Sequence, residues 1–178
     1  MATVVATALV LTACGADDPS DGTGPVVESP AARADPMASP SASDQPLTFQ
    51  SVTTEGEQFD ATDLAGQDVV LWFWAPWCTI CRSEAPQVAE VAAEMDGTVA
   101  LVGVASSGTL EQMQEFVTET GTESVTHVAD VPGDVWREFG VVSQPTFVFV
   151  NDDGRTQAFA GALGHAALLD ALMQLADA

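Results

Sequence analysis

Apolar positions along this chain of 178 residues fall into two regimes. Before Leu47 there is one short uncharged run, residues 2–13, and then a stretch with no apolar periodicity. From Leu47 onward, apolar runs and stripes alternate with polar turns. Val69–Trp74 (V-V-L-W-F-W) is continuous, β-branched and aromatic, which predicts a strand buried on both faces; Thr98–Ala105 (T-V-A-L-V-G-V-A) predicts a second. Between them Thr79–Met95 reads as a helix interrupted at Pro86, because proline lacks the N–H that a helix interior uses. Leu110–Thr120 is amphipathic, with Leu110, Met113, Phe116 and Val117 on one side. Shorter signals follow: a strand over Val125–Val128, a helical turn or two over Asp134–Phe139, and a closing helix over Ala166–Ala176. Strands over Thr146–Val150 and Thr156–Phe159 flank the turn Asn151-Asp152-Asp153-Gly154, a hairpin signal. Ahead of all these, Leu47–Thr54 and the segment around Phe59 flank Glu55-Gly56-Glu57 as a short hairpin, and Asp60 caps a helical turn that runs to Ala65. Strands alternating with helices predict an α/β domain: one sheet between helices, parallel at its core, with an antiparallel hairpin added.

The first 46 residues point to location rather than fold. Residues 2–13 are too few to span a bilayer but have the length of a signal-peptide hydrophobic region. Leu11-Thr12-Ala13-Cys14 resembles a bacterial lipobox, which implies lipidation of Cys14 as the first residue of the mature chain. Residues 14–46 hold six of the ten prolines and no aromatic residue, so they cannot bury enough apolar surface to offset their ordering entropy. The expected organisation is a signal peptide over 1–13, a tether over 14–46 and a folded domain over 47–178. The expected location is outside the cytoplasm, held to the outer face of the cell membrane by lipid, or else secreted.

Charge narrows the partners. Twenty-six Asp and Glu stand against four Arg and no Lys, a formal net charge of −22. Nucleic acid is excluded, since phosphate binding needs a basic footprint, and so is electrostatic docking on anionic lipid. With three Cys (Cys14, Cys78 and Cys81) a framework of several disulfides is excluded as well.

The chemistry concentrates in Trp74-Ala75-Pro76-Trp77-Cys78-Thr79-Ile80-Cys81, where a buried strand hands over to a helix. Two Cys at i and i+3 close a small disulfide ring on the first helical turn. Free N–H groups and the dipole at a helix N-terminus favour a thiolate on Cys78, the sulfur expected to be exposed, while Cys81 lies one turn inside and shielded. The alternative is half a zinc site, for which His127 and His165 would have to complete the ligands; they are far apart and unpaired, and no metal is expected. These histidines read as structural or surface residues, Trp72 and Trp74 as core. Arg82, at i+4 from Cys78, either favours its thiolate or is merely solvated.

Three stretches carry a resemblance to the thioredoxin superfamily, and more narrowly to its extracytoplasmic TlpA/ResA/DsbE-like branch with secreted disulfide oxidases. They are W-C-x-x-C at Trp77–Cys81, its continuation Cys81-Arg82-Ser83-Glu84-Ala85-Pro86, and Gly140-Val141-Val142-Ser143-Gln144-Pro145-Thr146. The resemblance covers roughly Leu47–Ala178. It implies a thioredoxin-like fold with a central mixed sheet, flanking helices and an N-terminal hairpin extension. It also implies a cis Pro145 opposite the active site, with the backbone of Gln144 free to pair with an extended client, and Trp77 as an apolar platform beside the disulfide. Glu84 is implied beneath the cysteines, where an acid raises thiol pKa values and accepts the resolving thiol's proton. Thioredoxin itself has a buried Asp where this chain has Trp72, so proton transfer falls to Glu84.

The implied activity is thiol-disulfide exchange with exported proteins through the Cys78–Cys81 pair. That disulfide is the sole redox centre and no other cofactor is expected. The W-F-W-A-P-W-C-T-I-C run and Gln144-Pro145 lean toward oxidase; the alternative is a reductase of apocytochrome c or other exported disulfides. A membrane redox partner for recycling is implied either way. Peroxidase and copper-chaperone readings lack their patterns: a peroxiredoxin has Thr or Ser where Ala75 stands, and copper-delivery relatives use C-x-x-x-C. A non-catalytic binding module would leave the cysteine pair without a role.

Overall fold

The computed structural model describes residues 47–178. Cys14, the expected signal peptide and the expected tether lie outside the described residues. Strands β1 (Gln50–Val52) and β2 (Gln58–Asp60) form the antiparallel hairpin, and Asp60 caps the 3-10 turn Ala61–Leu64 by accepting from the Thr62 N–H. Five strands make the main sheet: β3 (Val69–Trp74), β4 (Ala100–Ala105), β5 (Thr126–Ala129), β6 (Thr146–Val150) and β7 (Thr156–Ala160). Their spatial order is β5-β4-β3-β6-β7. β3, β4 and β5 run parallel, while β6 is antiparallel to β3 and β7 to β6, as the alternating pattern predicts.

β3 is central and its six residues are all fully buried, which is why it shows no polar alternation. Its even-numbered side chains, Val70, Trp72 and Trp74, face a cluster that includes Val88 and Val91 of helix α1 (Thr79–Glu94), Phe116 of α2 (Leu110–Thr120) and Leu168 of α4 (His165–Ala176). Val69, Leu71 and Phe73 face the other side, against Phe49, Phe139, and Trp136 of α3 (Asp134–Glu138). β1 starts three residues after the predicted Leu47, and the elements from β3 onward lie within two residues of their predicted bounds.

Two expectations are corrected. Helix α1 runs unbroken through Pro86, whose ring faces solvent, because buried Val88 and Val91 hold the following turns against the sheet. The backbone bond to the Arg82 carbonyl is lost without ending the helix. Leu110 is exposed, and the buried stripe of α2 is formed by Met113, Phe116 and Val117 with Thr120 at its end.

Gly103 sits mid-strand in β4 for a steric reason. A Cβ there would lie 2.1 Å from His127 Nδ1 and 2.9 Å from Trp74 Nε1, the two atoms joined in a buried hydrogen bond of 3.2 Å. Gly103→Ala therefore overpacks the core and breaks that bond, for an expected loss of about 2–3 kcal/mol in denaturant unfolding. A loss below about 0.5 kcal/mol would mean the site collapses around the methyl group without strain.

Candidate active site

The site lies at the C-terminal edge of β3. After Trp74 the chain turns through buried Ala75 and Pro76 and exposed Trp77, and Cys78 is the N-cap of α1 rather than a residue of its first turn. Cys78 is extended (φ −75°, ψ 107°), and its Sγ accepts the backbone N–H of Cys81 at 3.1 Å. Cys78 and Cys81 are joined as a disulfide. Cys81 is fully buried and Cys78, 6% exposed, is buried as well, so the exposed sulfur expected at Cys78 is corrected to a difference of degree between two covered cysteines. Capping explains it: the side chain folds back over the first turn to satisfy a free N–H instead of projecting outward.

Glu84 follows Cys81 by three residues on α1, which places both on one helix face, and it is 4% exposed. Its Oε1 accepts from Trp72 Nε1 at 3.0 Å, while Oε2 has no hydrogen-bond partner. Burial pushes the carboxyl up to about 7; the bond from Trp72 and the nearby Leu163 backbone, which is not within normal hydrogen-bond geometry, pull only weakly the other way. Trp72, read from sequence as core, thus also holds the acid. That role was invisible in the run V-V-L-W-F-W, because an indole N–H finds its partner only through the fold.

The second buried ionisable group is His127, 1% exposed. Its Nδ1 accepts from Trp74 Nε1, which leaves Nε2–H to donate to the Thr122 carbonyl at 3.1 Å. Burial lowers its pKa to about 4, only partly offset by the Thr122 carbonyl and by Glu55 and Glu123. It is a neutral structural residue, and Gly103 within an apolar strand was the signal for so close an approach. His165 lies at the surface and pairs with Glu94.

Arg82 turns to α2. One guanidinium nitrogen donates to the Pro76 carbonyl at 3.0 Å, another pairs with Glu119, and the group lies 5.0 Å over the Phe116 ring. Trp77 is 63% exposed and its Nε1 donates to the Ser107 carbonyl at 2.9 Å. The Gln144–Pro145 peptide is cis. Pro145 adjoins Thr146, which pairs with Phe73 of β3, so this loop borders the same edge as the cysteines. Gln144 is half-buried, and its backbone N–H and carbonyl make no backbone hydrogen bond among the described residues. Among the described residues, no three His, Cys, Asp or Glu side chains gather as metal ligands would.

A mixed sheet ordered β5-β4-β3-β6-β7, with a C-x-x-C disulfide capping the helix after its central strand, defines a thioredoxin-fold protein of the dithiol–disulfide type. The chain belongs to the AhpC/TSA family, whose model matches residues 42–159. It is 40% identical over 113 residues to the soluble secreted antigen MPT53 of Mycobacterium tuberculosis, a match covering 64% of each chain. Among solved structures it is similar to MTB dsbF in mixed oxidized and reduced forms (39% identity, TM-score 0.71, covering 73% of this chain and 96% of that one). It is also similar to a secreted M. tuberculosis disulfide oxidoreductase homologous to E. coli DsbE (34% identity, TM-score 0.70, 75% and 100% covered). The thioredoxin-like fold and the kinship with DsbE-like proteins expected from the three motifs hold.

Proposed function

We propose that this chain is an extracytoplasmic thiol-disulfide oxidoreductase that oxidises exported proteins through Cys78–Cys81. The observation that carries the reading is the disulfide at the α1 N-terminus, with Cys78 the N-cap and Cys81 fully buried inside the helix. A client thiolate attacks Cys78 Sγ, the Cys78–Cys81 bond breaks, and Cys81 takes the electron pair. Neutral Glu84, poised near pH 7, gives Cys81 its proton. The client's second thiolate then attacks the client sulfur of the mixed disulfide and releases Cys78 as a thiolate stabilised at the helix N-terminus. The client loses two electrons and the pair gains them, and a membrane redox partner withdraws them again. Trp77 supplies an apolar wall and the unpaired backbone of Gln144 a hydrogen-bonding edge for an extended client. The disulfide suffices as redox centre, and no metal or cofactor enters. Ala75, three residues before Cys78, has no hydroxyl to assist a peroxide, which supports disulfide exchange over peroxidase chemistry.

Incubating the oxidised chain with a reduced two-cysteine peptide tests the activity: a peptide disulfide forms stoichiometrically, and neither Cys78→Ser nor Cys81→Ser produces it. A wild-type chain that exchanges with neither reduced nor oxidised peptide sinks the reading. Equilibration with dithiol buffers tests the direction, since an oxidase is expected toward the roughly −120 mV of a strong dithiol oxidant and a reductase toward the roughly −270 mV of thioredoxin. A potential at the lower end makes the chain a reductase.

The proposed location is outside the cytoplasm, in keeping with likeness to secreted proteins, with the mature chain starting at lipidated Cys14 and residues 14–46 as the tether. Mass spectrometry of the membrane fraction is expected to find an N-terminal peptide starting at Cys14 with lipid on its sulfur. A mature form without lipid would leave secretion as the mode.

A further inference from the structure

We infer that the β4–α2 loop, Ser106–Thr109, is a positioning element that holds Trp77 as a rigid wall and thereby selects clients carrying an apolar side chain beside the reacting cysteine. The inference rests on the exchange reaction proposed above and names the residues that set its specificity. Four observations converge on Pro76–Trp77. Ser107 is the sole non-glycine residue with positive φ (59°) among the described residues, and its carbonyl is the acceptor for Trp77 Nε1. A left-handed serine is disfavoured unless its surroundings enforce it. Gly108 lies against Pro76 so closely that a Cβ would stand 2.7 Å from the proline Cγ. On one side the loop is tied down by Ser106 N–H donating to the Trp74 carbonyl at 3.1 Å, and on the other by a capping box between Thr109 and Gln112. From the opposite flank Arg82 holds the Pro76 carbonyl.

So much fixing serves a side chain that contributes little to the core, since Trp77 is 63% exposed. An exposed indole normally samples several rotamers. Pinning it ahead of binding removes that entropy from association, which makes its face an effective contact for an apolar group. Ile80, 54% exposed on the first turn of α1, extends the apolar surface on the helix side of the disulfide. Around a cysteine that is only 6% exposed, such a rim suits an extended polypeptide whose cysteine is flanked by apolar residues.

The test compares exchange rates for two peptides of equal length and charge, one with Leu and one with Ser flanking the cysteine, with dithiothreitol as reference. The wild-type chain is expected to favour the Leu peptide. Gly108→Ala, which displaces Pro76, and Trp77→Phe, which keeps a ring but removes the N–H, should each lower the Leu-to-Ser ratio by about three- to tenfold, the worth of one net hydrogen bond. Combined, they should lower it no further than either alone, because both act through one contact. Additive effects, an unchanged ratio, or an equal slowing with dithiothreitol would overturn the inference. Should Gly108→Ala not fold, the ratio for Trp77→Phe decides alone. Active exchange without any flank preference in the wild-type chain sinks this inference and leaves the oxidoreductase reading standing, whereas inertness toward peptides and dithiothreitol alike sinks the reading itself.

Discussion

Cys81→Ser is expected to stall the reaction halfway and accumulate a mixed disulfide on Cys78, whereas Cys78→Ser accumulates almost none. Offered a disulfide-bonded client, the Cys78 thiolate of the first variant attacks one client sulfur, forms the mixed disulfide and expels the other client thiolate. No second thiol then resolves it. In Cys78→Ser the remaining sulfur is fully buried and lies inside the helix, so a client disulfide cannot align with it. Non-reducing electrophoresis after acid quench separates the two outcomes. Equal trapping by both variants would reverse the assignment of attacking and resolving cysteines. Glu84→Gln, which removes the proton source proposed for Cys81, should shift the pH profile of the resolution step while leaving trapping in place.

The stability of the folded chain is expected to be almost flat between about pH 4.5 and 6.5, because two buried groups oppose each other there. Glu84 binds its proton more tightly when folded: its pKa rises from 4.5 to about 7. The stability this contributes is complete below pH 4.5 and is lost as pH rises through about 7. His127 does the reverse, since its folded pKa falls from 6.5 to about 4. Its contribution is complete above pH 6.5 and is lost as pH falls toward 4. Each shift corresponds to about 3 kcal/mol across its window. Removing one group therefore uncovers the other. Glu84→Gln should show stability climbing by about 3 kcal/mol from pH 4 to 6.5, and at pH 8 it should be more stable than the parent by about 1–3 kcal/mol, since a buried carboxylate with an unpaired oxygen is gone. His127→Gln should show the opposite slope, with stability falling from pH 4.5 to 7. Chemical denaturation at half-unit pH intervals measures all three curves. Parallel curves for parent and Glu84→Gln would place Glu84 in contact with water.

What the amino-acid order determined by itself was everything with a local or periodic cause. A six-residue run of β-branched and aromatic residues such as Val69–Trp74 fits a strand covered on both faces, and its placement before a helix carrying Cys78 and Cys81 puts the redox pair where a helix has free N–H groups. Spacing of three along α1 set Cys81 and Glu84 on one face without any knowledge of the sheet. Pairings between distant segments were a different matter. Trp72 reaches Glu84 and Trp74 reaches His127 because alternate residues of β3 face the helices, and Gly103 is small because His127, 24 residues on, crosses over it. Pro86 does not break α1, because the burial of Val88 and Val91, which carries the helix past it, is a tertiary contribution that the local pattern does not contain. Likewise Cys78 is less open than its position suggested, since capping turns its side chain back onto the Cys81 N–H. Ser107 and Gly108 carried no recognisable motif at all: their roles exist only where β4 ends beside β3, at the point where the parallel register brings Ala105 next to Trp74 and the loop beyond it up against Trp77.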